Sequence, residues 1–360
     1  VVFCAPVQLH NWLRTLRGRW RPVAVHRDAQ RNLVVLSPLV FSGHFKSRRI
    51  FELNCRLIAA HVRPWLRQAA SIDCITNTPY GVPVIERLFG IGSDRSPRLR
   101  TLTYDVIDDF TTFDWSPAFG RELDDRLMRA ADIVLTGTWE LREQRLALRP
   151  EAEFIPCGVD FDAFHRPAPE PDDLRGLPRP LIGYFGTISD RLDPELLNKV
   201  AAAFPHGTLV MVGPVHLPDH VLPRGSGNVR YLGLKPHDAL PGYAQAFDVA
   251  LIPFRLTEAT RKLNPVKTLE YLAAGLPVVS TAIPDVERFF SEAVLVAGNH
   301  DEFIDHIARC VSAPDPARRQ AGVEMARCAS WEEMTRRMNE MIDHAGRPAP
   351  ETPAAHRESA

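Results

Sequence analysis

The chain has 360 residues, of which 45% are hydrophobic and 24% charged, values that exclude a mainly disordered protein. At roughly 150 residues per domain, that length predicts two domains. The net charge of −1 hides an asymmetry: the first hundred residues carry 16 Lys and Arg against 5 Asp and Glu, the remainder 27 against 39. A basic first part is expected to meet something anionic.

No apolar run approaches the roughly 18–20 residues that span a bilayer, so no transmembrane helix is expected. The opening VVFCAPV lacks the basic region and long apolar stretch of a signal peptide. Cys4, Cys55, Cys74, Cys157, Cys310 and Cys328 form no CxxC pair. That usage fits reduced thiols in a cytosol better than disulfides or a zinc site.

In chain order, VVFCA (1–5), LVVL (33–36), IDCIT (72–76), LTYDVI (102–107), DIVLT (132–136) and EFIP (153–156) predict strands. Amphipathic segments at 48–67 and 117–131 predict helices between them. Runs apolar on both faces and separated by helices mark a parallel sheet. HRPAPEPDDLRGLPRP (165–180), rich in proline and poor in apolar residues, reads as a linker. The second half repeats the pattern with LIGYF (181–185), TLVMV (208–212), VRYLG (229–233), DVALIPF (248–254), PVVST (277–281) and AVLVA (293–297). The expected architecture is α/β: two Rossmann-like, doubly wound domains at 1–164 and 181–330, with ligands between them at the carboxyl ends of the strands. A final helix at 331–345 is expected to complete the N-terminal domain, and 346–360 to be a disordered tail.

The stretch DVALIPFRLTEATRKLNPVKTLEYLAAGLPVVST (248–281) carries the most chemistry. Asn264 followed by Pro265 predicts a helix start, with Asn264 as N-cap and Pro265 as first helical residue. Gly275, with Pro277 beyond it, predicts the stop. That helix would point its N–H groups at the carboxyl edge of the sheet, where they favour a phosphate. Arg261, Lys262 and Lys267 crowd the same end, and cations there oppose the dipole unless an anion sits among them. Glu270 follows Lys267 on the same face, and its carboxylate suits the two hydroxyls of a ribose. The other reading of Lys267 and Glu270 is an exposed helical ion pair. Strand LIGYF runs into Gly186 and Thr187, and Gly183 and Gly186 would let a backbone approach a diphosphate closely.

NPVKTLEYLAAGLPVVST resembles the donor-binding motif of group-1 (family 4) glycosyltransferases of the GT-B fold, in the branch where Asn-Pro-x-Lys precedes the Glu. IPCGVDFDAFHRP (155–167) is similar to the family's hinge signature, YDVIDDF (104–110) to the branch's Tyr-Asp-x-x-Asp segment, and LIGYFGTISDRLD (181–193) to its first C-terminal strand and loop. The resemblance spans about residues 100–345. It implies that Glu270 holds the nucleotide ribose and that Val266 and Lys267 meet the pyrophosphate. Three positions depart from the pattern. Lys262 stands where the family has its first Glu, eight residues before Glu270. The usual Gly-Arg…Lys phosphate clamp is absent at its normal spacing, since Arg191 and Lys199 lie too far apart. Tyr104 stands about where many relatives place a His near the donor sugar.

The implied reaction moves a sugar from a nucleoside diphosphate to an acceptor hydroxyl, with retention and without a metal or other cofactor, in cell-surface polysaccharide or glycolipid synthesis. Asp105, at the end of an N-domain strand, is the candidate for acceptor or sugar contact; its alternative is a solvated or capping Asp. Two rivals stand beside this reading. One is a nucleotide-sugar 2-epimerase of the same fold, which would need acid and base groups the sequence does not place. The other is a degenerate GT-B binding or scaffold protein, which Lys262 brings into view.

Asp108 and Asp109 imitate a metal-binding pair with nothing else in support. His216 and His220 have zinc-like spacing, but Pro218 between them argues against a helix and no third ligand is evident. Arg14, Arg17, Arg19 and Arg21 interleave with Trp12 and Trp20. Along 48–67, Arg49, Arg56, Arg63 and Arg67 alternate with Ile50, Leu53, Leu57 and Ile58. These suit an anionic leaflet or a lipid-diphosphate acceptor; the plainer reading is a solvated Rossmann helix. No nucleic-acid reading motif accompanies the charge. A cytoplasmic protein, peripheral on the inner face of a membrane, is expected.

Overall fold

The computed structural model describes residues 1–4, 6–8 and 23–346. Arg14, Arg17, Arg19, Arg21, Trp12, Trp20 and, beyond Gly346, the expected tail lie outside the described residues.

The chain divides into two compact units. Unit 1 comprises the described residues of Val1–Thr136, Gln144–Glu153 and the chain from Asn339; unit 2 comprises Gly137–Glu143 and Phe154–Met338. The divisions therefore fall at 136/137, 143/144, 153/154 and 338/339, not at the proline-rich segment. That segment packs on unit 2. Leu174 is buried, and Asp173 accepts hydrogen bonds from Lys235 Nζ at 2.7 Å and Tyr243 Oη at 2.8 Å. Arg179 donates to Asp248 at 2.9 Å. A few apolar and charged anchors outweigh a composition that reads as a linker.

Unit 1 holds strands β1 (Val2–Cys4), β2 (Val7–Gln8), β3 (Val23–Asp28), β4 (Leu33–Val40), β5 (Ile72–Thr76), β6 (Leu99–Val106), β7 (Ile133–Thr136) and β8 (Glu153–Phe154, whose second residue belongs to unit 2). They form two four-stranded sheets rather than one. In the first, β4 lies between β1 and β2 and also pairs with β3, which runs antiparallel to it. The order of the second is β5-β6-β7-β8, with β5, β6 and β7 parallel. The sequence reading missed β2 and β3. Helices α1 (Arg48–Leu66), α2 (Val82–Phe89) and α3 (Gly120–Ala130) belong to this unit, and α4 (Trp139–Arg145) starts in unit 2 and ends in unit 1.

Unit 2 contains β9 (Leu181–Phe185), β10 (Thr208–Val212), β11 (Val229–Gly233), β12 (Val249–Ile252), β13 (Val278–Thr281) and β14 (Val294–Ala297). Its helices are α5 (Phe161–His165), α6 (Pro194–Ala203), α7 (Leu240–Ala246), α8 (Glu258–Arg261), α9 (Val266–Ala273), α10 (Pro284–Phe290), α11 (His300–Ser312) and α12 (Pro316–Cys328). Helix α13 (Trp331–Ala345) begins in unit 2 and ends in unit 1, where Asp343 meets Arg100 at 3.1 Å.

The six strands of unit 2 are all parallel, in the order β11-β10-β9-β12-β13-β14. Every residue of β9, β10 and β12 is buried, as a sheet covered on both faces requires. The order reverses between β9 and β12. In open α/β sheets the crevice beyond the carboxyl ends of the strands at such a reversal is where ligands bind.

Candidate functional site

Helix α9 follows β12 and opens at that reversal. Its first helical residue is Val266, and Pro265 takes the N-cap position without a side-chain bond. Asn264 is therefore not the cap: its amide is buried, with neither polar atom in a well-formed hydrogen bond. It lies near the buried Asp285, whose carboxylate accepts the Trp139 backbone N–H at 3.2 Å. Burial pushes the Asp285 carboxyl up to about 6.

The far end of α9 follows its expected signals. Gly275 sits at φ +72, its N–H donates to Leu272 O at 2.9 Å, and Leu276 N–H donates to Tyr271 O at 3.1 Å. Those two bonds make a Schellman stop. Gly322 of α12 leaves room for Leu272, where a Cβ would stand 2.6 Å from its Cδ2. The helix is thus fixed at its back, and its first turn holds a set geometry.

Lys267 lies in that first turn. Its ammonium sits 5.1 Å from the centroid of Phe254, two residues past β12, and 5.6 Å from that of Tyr184 in β9. Burial lowers its pKa to about 8; Glu270 opposes that shift, and the nearby Arg191 adds to it. Gly186, just past β9, has φ +135, and a Cβ there would come 3.1 Å from Lys267 Cε and 3.0 Å from Tyr184 Oη. Glycine at 186 gives the lysine its place.

Glu270, one turn along, has a largely buried side chain, and burial raises its pKa. It pairs with His237 Nε2 at 3.6 Å. No Lys267–Glu270 ion pair within 4.0 Å occurs among the described residues, so the exposed-pair reading fails. Both side chains are largely buried, and the carboxylate turns to His237. Sequence reading missed His237, which arrives on a separate turn at His237–Ala239.

The remaining predicted residues divide. Gly183 is inside β9, where a Cβ would strike the Phe247 ring at 2.1 Å; it serves packing, not a phosphate. Thr187 is exposed, and its carbonyl accepts from Tyr184 Oη at 3.1 Å. Arg261 and Lys262 belong to the turn that precedes α9. Arg261 ends α8, a turn closed by a Thr257–Thr260 capping box, and Lys262 folds back to Glu258 at 3.6 Å. Lys199 is engaged by Glu195 at 3.0 Å on α6, and Arg191 lies close enough to Lys267 to lower its pKa.

In unit 1, Asp105 lies near the end of β6, and burial pushes its carboxyl up to about 6. Tyr104 is a core residue: its hydroxyl donates to Asp124 at 2.6 Å, and Arg145 holds the other Asp124 oxygen at 2.6 Å. It is not a ligand-facing stand-in for the family's His. Asp109 closes a turn by accepting from Thr111 Oγ1 at 2.7 Å and faces Arg145 at 3.8 Å. Among the described residues, no group of three or more His, Cys, Asp or Glu is placed to hold a metal ion.

Comparison with known proteins extends this geometry. The family described as "Glycosyl transferase-like" matches residues 191–343. The chain is 27% identical over 196 residues to TuaH of Bacillus subtilis (strain 168), a putative teichuronic acid biosynthesis glycosyltransferase. The match covers 51% of this chain and 48% of TuaH, so it spans about half the length of that relative. Among solved structures, an α,α-trehalose-phosphate synthase (UDP-forming) from Burkholderia vietnamiensis aligns with TM-score 0.69 and 14% identity, over 96% of this chain and 95% of that one. A trehalose-6-phosphate structure from E. coli, bound with UDP-2-fluoro glucose, gives TM-score 0.70 and 12% identity, over 97% and 93%. Sucrose-phosphate synthase from Thermosynechococcus elongatus gives 0.64 and 16%, over 91% and 86%. The family match and the likeness to TuaH support a glycosyltransferase, and the fold shared with the three solved structures is GT-B.

Proposed function

We propose that the protein transfers a sugar from a nucleoside-diphosphate sugar to an acceptor hydroxyl in the synthesis of a cell-surface polysaccharide or glycolipid. The observation that carries this reading is Lys267, buried in the first turn of α9 against Gly186, at the strand-order reversal. A buried lysine beside an arginine is unfavourable alone, and a diphosphate between them turns repulsion into attraction.

The proposed mechanism is electrostatic. Negative charge grows on the departing diphosphate as the bond to the sugar breaks. Lys267, Arg191 and the first-turn N–H groups of α9 face that charge in a site already built for it. Glu270 takes the ribose hydroxyls, with His237 holding its carboxylate. Two cations and a helix terminus supply what a metal would, so the transfer needs none; the resemblance to the family adds retention of configuration. Asp105, near the end of β6, is the proposed contact to acceptor or sugar. TuaH's description, with its teichuronic acid, agrees with a polysaccharide acceptor.

A peripheral position on the inner face of a membrane belongs to the same reading. It rests on the positive excess of the first hundred residues. No helix among the described residues is long and apolar enough to cross a membrane. The scaffold alternative loses ground with Lys262, since that lysine is tied to Glu258 and a different lysine serves the edge. A thermal-shift screen with UDP, GDP, ADP, CMP and dTDP, with and without Mg²⁺, tests the proposal. Stabilisation by one base, unchanged by Mg²⁺, is expected; no stabilisation by any of them overturns it.

A further inference from the structure

Helix α1 carries a line of positive charge. Positions 49, 53, 56, 60, 63 and 67 recur every three or four residues, which places them in one row along the helix, and all six are exposed. They are Arg49, Leu53, Arg56, Ala60, Arg63 and Arg67, four guanidinium groups without a carboxylate. At 1.5 Å per residue the row is about 27 Å long. Glu52, the acid within α1, pairs with Arg87 at 2.5 Å, and Glu122 of α3 pairs with Arg48 at 2.7 Å. No carboxylate among the described residues pairs with Arg49, Arg56 or Arg67. The first turn holds Arg48 and Arg49 and no acid, and Ser47 makes no capping bond. Cations there oppose the helix dipole; Glu122 offsets Arg48, and no carboxylate among the described residues pairs with Arg49.

The row is not purely polar. Leu53, between Arg49 and Arg56, is 44% exposed. The loop that leads into α1 exposes Phe41 at 46%, and its Phe45 stacks at 5.3 Å on Trp115, itself 48% exposed. Arginines spaced along a helix, with Leu53 among them and Phe41 exposed in the loop that leads into it, match a surface whose charge is anionic and whose interior is hydrocarbon. A polynucleotide would use the arginines and leave Leu53 and Phe41 in water.

We propose that this face of α1 lies flat on an anionic lipid bilayer, with the arginines on lipid phosphates and Leu53 and Phe41 at the acyl boundary. The inference rests on the peripheral position proposed above and names the surface responsible; it does not depend on the donor site.

The test is co-sedimentation of the full chain with phosphatidylcholine vesicles, with and without phosphatidylglycerol. Wild type is expected to sediment only with the anionic vesicles, and less at high salt. The double variant Arg56→Glu/Arg67→Glu should bind them at least about tenfold more weakly, and Leu53→Ser should also bind less. Stabilisation by the preferred nucleoside diphosphate should be unchanged in both, which keeps failure here distinct from failure of the donor reading. Vesicle binding unaffected by the double variant removes α1 from the account while leaving a peripheral position standing. No binding of wild type to anionic vesicles, or binding to poly(U) RNA in its place, overturns the proposal.

Discussion

Lys267 stands against Gly186, so close that a Cβ on the glycine would come 3.1 Å from the lysine's Cε. One comes from the loop after β9 and the other from the helix after β12, the two sides of the strand-order reversal. Substitutions at the two glycines near β9 should therefore separate. Gly186→Ala displaces Lys267 and should weaken nucleoside diphosphate binding at least about tenfold, as measured by calorimetry on folded protein. Gly183→Ala drives a methyl into the Phe247 ring, and overpacking of that kind costs about 1–3 kcal/mol or more in urea unfolding.

The pH behaviour of Lys267 has a definite sign. An ordinary lysine holds its proton to about 10.4. Burial brings this one down to about 8. Between those values the unfolded chain carries the extra proton, so stability without ligand should rise as pH climbs through that window. Diphosphate binding favours the charged lysine and should have the opposite trend, weakening as pH passes 8. Calorimetry near pH 8 in buffers of different ionisation enthalpy should register proton uptake on binding, and Lys267→Met should abolish it.

Glu270 and His237 make a second pair to probe. Glu270→Ala should cost about 1–3 kcal/mol of nucleoside diphosphate affinity, the loss of a charged hydrogen-bonding partner. His237→Ala should cost less, because it removes the carboxylate's holder and not the carboxylate. Equal affinity in Glu270→Ala and wild type would return Glu270 to a packing role.

Tyr104→Phe tests the correction in unit 1. It removes one hydrogen bond to Asp124 and leaves the Arg145 pair intact, so stability should fall by about 0.5–1.5 kcal/mol. Nucleoside diphosphate affinity should not change. A fall in affinity at unchanged stability would place Tyr104 at a ligand after all.

Much of unit 2 was legible in the sequence because its signals are local. Strands buried on both faces read as unbroken apolar runs, and Gly275 with Pro277 announces the end of α9. What was misread depends on partners distant in the chain. Asn264 has the composition of a cap, yet Pro265 takes that position and Asn264 turns toward Asp285. Gly183 looks like a phosphate-loop glycine until Phe247 arrives from beyond α7. The pairing of Glu270 with His237 joins two segments that no spacing rule connects. Arg191 matched no clamp by spacing, because its companion Lys267 sits 76 positions later. The antiparallel β3 was missed for a related reason: VAVHRD has too few apolar residues to stand out.

The most direct test is calorimetric titration of nucleoside diphosphates into wild type and Lys267→Ala, with EDTA present. At 100 times its dissociation constant a ligand stabilises by about 2.7 kcal/mol, so a melt on the same samples provides a check. The account predicts that wild type binds one nucleoside diphosphate without metal and that Lys267→Ala, equally folded, binds it at least about tenfold more weakly. Equal binding by both proteins, or binding by wild type only when Mg²⁺ is supplied, would contradict it.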